Sequence, residues 1–101
     1  MLGKLQELRQ EMENAKARLA ETLISRQSPD GTIRVTLSAG REIRELHIDP
    51  LLLQQADISR LEAGLSEVLN EALREADRQN EAVMKSAAGG LLGGLNLPGL
   101  F

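Results

Sequence analysis

Four bases in the first eighteen residues, Lys4, Arg9, Lys16 and Arg18, are spaced so that they could attract an anion. Leu5, Leu8, Met12, Ala15 and Leu19 recur at intervals of three and four, which makes a narrow apolar seam along a helix. Lys4 and Arg18 flank one edge of that seam, and Arg9 and Lys16 flank the other. Glu11 is the one acid on a flank, while Glu7, Glu13 and Glu21 fall farther round. Basic side chains also border apolar strips on ordinary helix surfaces, with their stems covering the edges. A basic lining for a polyanion is the sharper reading of the same pattern. Arg74, Arg78 and Lys85 form a second basic group late in the chain, with Glu67, Glu71 and Glu81 interleaved. Glu81 and Lys85 make a favourable i,i+4 pair, so a solvated ionic face is the simpler account of that group.

Catalytic chemistry lacks its parts. His47 is the single imidazole, set between Glu45 and Asp49 on the polar side of an alternating segment. There is no cysteine, which removes disulfides and thiolate nucleophiles and fits a reducing compartment. No His/Cys cluster offers a metal site, and no Gly-rich loop joins a strand to a helix to cradle a phosphate. The acids lie on solvated helix faces, not in an apolar pocket that would raise a pKa. The sequence therefore predicts no enzyme, no metal and no cofactor.

The elements that must carry the bases follow from periodicity. Residues 2–25 read as one helix. Ser28-Pro29-Asp30-Gly31 is a turn, since Pro presets φ and Gly tolerates positive φ. Ile33, Val35 and Leu37 then alternate with polar residues, as in a strand with one buried face. A turn around Ser38–Arg41 leads to a second strand from about Glu42 to Ile48. Here Ile43 is out of phase with Leu46 and Ile48, which predicts a bulge or break near Arg44–Glu45. Asp49-Pro50 has the form of an N-cap followed by Pro at the first helical position.

A second helix is expected from Ser59 to about Ala87, opened by a capping box in Ser59-Arg60-Leu61-Glu62. Leu61, Leu65, Val68, Leu69, Ala72, Leu73 and Ala76 give it a broad apolar face for a sheet. Gly64 within that face suits a close approach to a strand. Past Ala76 the face thins, so the last turns should project. The final stretch has five glycines and no charge after Lys85, and reads as a flexible tail over 88–101 beside a single domain over 1–87.

The pattern G-x-I-x-V-x-L-x-x-G from Gly31, followed by E-I-x-x-L-x-I-D-P-L-L-L from Glu42, resembles the YbaB/EbfC family of small bacterial nucleoid-associated proteins. The resemblance extends back to Leu2-Gly3-Lys4 and on through A-D-I-S-R-L-E and N-E-A-L-R-E-A to the Gly/Leu tail. It implies an α+β protomer, helix–hairpin–helix, in a tweezer-like homodimer that binds double-stranded DNA and serves nucleoid organisation or gene regulation. By that resemblance the DNA contacts fall on the two helices, matching Lys4, Arg9, Lys16 and Arg18 on the first and Arg74, Arg78 and Lys85 on the second.

The hairpin gives the same expectation of self-association, because a sheet with few covering elements must pair or cover its edges. The expected contact residues are Ile33, Val35, Leu37, Ile43, Leu46 and Ile48. Charge complicates the picture: the net charge is −3, with the first 26 residues at +1 and residues 57–101 at −3. The acidic second helix should repel phosphate, so binding should be weak, salt-sensitive and largely indifferent to sequence. A different class, a protein-interaction adaptor using the helical seam and the Leu-rich tail, accounts for the same apolar residues. With no signal peptide at the start and no apolar run of membrane length, a cytoplasmic, nucleoid location is expected and no membrane partner.

Overall fold

The computed structural model describes residues 2–92. In chain order the elements are α1 (Leu2–Glu21), β1 (Leu23–Gln27), β2 (Ile33–Ser38), β3 (Ile43–Ile48), α2 (Pro50–Gln54) and α3 (Ile58–Leu92). The three strands form an antiparallel sheet in the order β1-β2-β3.

The first strand corrects the expectation of a helix running through residue 25. Thr22 ends α1: its Oγ1 donates to the Arg18 carbonyl at 2.8 Å, and its N–H reaches the Leu19 carbonyl. From there Leu23–Gln27 pairs with β2, setting Ile24 opposite Leu37 and Arg26 opposite Val35. Side-chain pairing across the sheet outweighs helical continuation, and Ile24 is buried by it.

Gly31 takes φ +74° in the turn that enters β2, as only glycine does without strain. Asp30 braces the same turn, its Oδ1 accepting from Ser28 Oγ at 2.8 Å and from Thr32 Oγ1 at 2.7 Å. Between β2 and β3, Arg41 rather than Gly40 holds the left-handed conformation, at φ 71°. The expected bulge is present: Thr36 pairs with Glu45 and Leu37 with Ile43, so Arg44 is the extra residue. Asp49 caps α2 through Leu51 N–H, with Pro50 opening the helix.

α3 starts differently from the predicted capping box. Asp57, not Ser59, supplies the cap, accepting from Arg60 N–H at 3.1 Å. Its helix also continues five residues past Ala87, through Gly89 and Gly90 to Leu92. Residues 93–101 of the expected tail lie outside the described residues. Among the described residues, no helix is long and apolar enough to cross a membrane.

The core forms where α3 lies across β1 and β2. Val68, Ala72 and Ala76 of α3 are buried against Ile24, Ile33, Val35 and Leu37, with Leu19 of α1 and Leu52 of α2 closing the ends. Gly64 permits the contact, since a Cβ there would lie 2.7 Å from Ile33 Cδ1. The expected self-contact residues therefore divide. Ile33, Val35 and Leu37 are at most 1% exposed within one chain, so a covering helix consumes them rather than a partner. Ile43 and Leu46, on the uncovered β3, remain open to solvent.

Candidate nucleic-acid interface

Strands of five or six residues cannot match the length of the helices they carry. The 35 residues of α3 extend about 50 Å at 1.5 Å per residue. Among the residues whose burial is described, Ala76 is its last fully buried side chain, so its C-terminal part runs beyond the sheet. α1 packs along α3, and the chain measures 62 × 25 × 15 Å. The apolar seam of α1 is graded accordingly: Ala15 and Leu19 are buried, Leu8 and Met12 are half-buried, and Leu5 is 64% exposed. The outcome is a two-helix arm rooted in an α/β base.

The predicted cations sit on this arm. Lys4, Arg9, Lys16 and Arg18 are all exposed on α1, and among the described residues none has a carboxylate within 4 Å. Arg9 and Lys16 are seven residues apart, two turns or about 10.5 Å, along one edge of the helix. Arg74 and Lys85 on α3 are likewise exposed, but Glu67 and Glu81 share their heading opposite the buried face.

Arg78 is a different case. Its Nε and Nη2 both donate to Glu75 Oε1, at 3.0 and 2.9 Å. Glu75 is held below the ordinary carboxylate range, first by Arg78 and then by the Gln79 amide. That bonding occupies Arg78, which the i,i+3 spacing of the pair allowed in advance.

Around the base the arginines are engaged. Arg26 lies 3.5 Å from Glu75, Arg60 lies 3.2 Å from Asp30, Arg41 meets Asp77 at 3.0 Å and Arg44 meets Glu42 at 3.3 Å. Most of these partners are distant in sequence, so no local spacing announced them. The exception is Arg34, exposed on the outer sheet face opposite His47, with no carboxylate within 4 Å among the described residues. With Ser25, Gln27, Thr36 and Glu45 these two line a shallow hollow of about 860 Å³. Sequence reasoning missed this hollow because one wall is β1. Among the described residues no three His, Asp or Glu side chains gather as metal ligands.

Exposed cations on the arm above a paired-charge base suit a long anion better than a small molecule. Known proteins are similar to this chain over most of its length. A nucleoid-associated protein of Flavobacterium johnsoniae is 38% identical over 88 residues, covering 87% of this chain and 81% of that protein. One from Acidobacterium capsulatum is 37% identical over 107 residues, covering 100% of this chain and 93% of that protein. The crystal structure of the protein HP0035 from Helicobacter pylori has the same fold, with a TM-score of 0.80 at 21% identity over 86% of this chain and 91% of that one. Residues 1–91 match the family description itself, and with relatives this similar over most of their length the chain belongs to the YbaB/EbfC DNA-binding family.

Proposed function

We propose that this chain is a homodimeric nucleoid-associated protein of the cytoplasm, gripping duplex DNA by its phosphate backbone between basic arm edges. It would thereby serve nucleoid organisation or gene regulation. The observation that carries the reading is the segregation of charge: the exposed cations Lys4, Arg9, Lys16 and Arg18 of α1 have no carboxylate partner among the described residues, while most arginines of the base are paired. Unpaired cations release counterions from DNA at little cost, whereas paired ones must first give up their carboxylates. The relatives named as nucleoid-associated proteins support the biological setting.

Self-association fits the uncovered edge. β3 has one bonded neighbour in the sheet and carries Ile43 at 54% and Leu46 at 50% exposure, with Ile48 half-buried beside them. A twofold contact there would cover the edge and its apolar side chains together. The adaptor reading is weaker on this structure, because Ala15 and Leu19 of the seam are already buried in the chain's own core.

Gel shifts at low and moderate salt test the arm. The double variant Arg9→Glu/Lys16→Glu should lose at least tenfold in affinity and show a shallower salt dependence, by about 0.9 in log–log slope per lost contact. Equal retention of DNA by the variant and the wild type would remove α1 from the interface.

A further inference from the structure

The β2–β3 turn does more than reverse the chain. It meets the arm where both helices leave the base. Ala39 N–H donates to the Thr22 carbonyl at 2.8 Å, docking the turn on the α1–β1 junction. Arg44 Nη2 donates to the Ala20 carbonyl at 3.0 Å, in the last turn of α1. Arg41 Nη1 donates to Asp77 Oδ1 at 3.0 Å, and Asp77 immediately follows Ala76, which is buried against the sheet. The turn, through Arg41, and the bulge at the start of β3, through Arg44, thus hold the two helices at their roots.

Two local irregularities aim these side chains. Arg44 is the bulge residue of β3, and a bulge redirects the side chain it carries. Arg41 has φ 71°, a conformation that a side chain rarely adopts and that needs local support. The Arg44 guanidinium also meets one of the orphan carbonyls that every helix leaves at its C-terminus. An exposed Arg–Asp pair contributes little to global stability, so its value here is geometric.

We infer that Arg41 and Arg44 are positioning residues that set the direction in which the arm leaves the sheet, and hence the gap offered to DNA. The consequence for affinity rests on the DNA-binding reading above; the geometry itself does not. The two are separated by measuring the free protein first. The chain has no cysteine, so Gln6→Cys on the arm and Gln27→Cys on the sheet can be spin-labelled cleanly and diluted with unlabelled chains. Asp77→Asn and Arg44→Met should each broaden or shift the label distance by several ångströms. The swap Arg41→Asp/Asp77→Arg should restore the distribution that Asp77→Asn loses.

Asp77→Asn gives the decisive binding measurement. Removing an acid near a polyanion should strengthen binding if charge alone matters. The positioning role instead requires a three- to tenfold weaker complex with an unchanged salt slope. Unchanged label distances, or an Asp77→Asn complex as tight as wild type or tighter, would overturn the inference. Should the wild-type chain hold no DNA, the label distances alone still decide the geometry.

Discussion

Strands β2 and β3 are hydrogen-bonded neighbours that turn apolar side chains to the same side of the sheet. Ile33, Val35 and Leu37 of β2 are at most 1% exposed, while Ile43 and Leu46 of β3 are 54% and 50% exposed. α3 packs over β1 and β2 and leaves β3 largely uncovered. Alternation therefore tells which side of a sheet a residue occupies, and only the position of the overlying helix tells whether it is buried. The same side of one sheet is core for two strands and surface for the third.

The strongest way to break this contrast is to truncate one leucine in each strand. Leu37→Ala should cost about 2–5 kcal/mol, the usual range for a fully buried leucine. Leu46→Ala should cost under about 0.5 kcal/mol in dilute, monomeric protein, as surface changes do. Chemical denaturation measures both, and equal losses would abolish the distinction. If β3 is the contact proposed above, sedimentation of Ile43→Ser/Leu46→Ser should meanwhile show monomers at concentrations where the wild type sediments as the proposed dimer.

A smaller effect sharpens the reason for the contrast, which is how closely α3 sits on β2. Gly64→Ala would gain about 1 kcal/mol of helix propensity. It should nonetheless destabilise by about 1 kcal/mol, since its Cβ would fall 2.7 Å from Ile33 Cδ1 and overpacking costs more than the gain. Because the obstructing atom is the end of a side chain, adding Ile33→Val should recover the loss.

The smallest effect concerns the turn into β2. Hydrogen bonds from Thr32 and then Ser28, with the nearby Arg60, hold the Asp30 carboxyl at about 2, below its ordinary 3.8. A lowered pKa contributes stability that is complete above the ordinary value and lost as the pH falls toward the folded one. Acid titration of unfolding should show that loss between pH 3.8 and about 2, and Asp30→Asn should flatten it.

Much of this architecture was legible in residue order. The β2 alternation, the Asp49-Pro50 helix start, the need for Gly64 and the bulge at Arg44 are all short-range signals, and each is present in the fold. β1 was not legible, because Leu23 continues the helical spacing and only pairing with β2 makes Leu23–Gln27 a strand. The α3 cap was misread for a related reason: Asp57 and Ser59 are both good caps, and the chain path out of α2 selects Asp57. Of the candidate site, the α1 bases could be named from spacing. Which arginines are already paired depended on contacts such as Arg26–Glu75 and Arg41–Asp77, more than 30 residues apart, and sequence spacing is silent on them.

α3 serves as both the lid of the sheet and the beam of the arm without a break between Ile58 and Leu92. The two roles consequently share one angular phase. A single residue inserted after Ala76 would rotate everything beyond it by about 100°. Val83 and Met84 would leave the cluster they now pack against, and Lys85 would face another way, although no residue of the sheet had changed. Length in this helix is thus as constrained as composition, and a family built on it should tolerate substitutions along the arm more readily than insertions at its root.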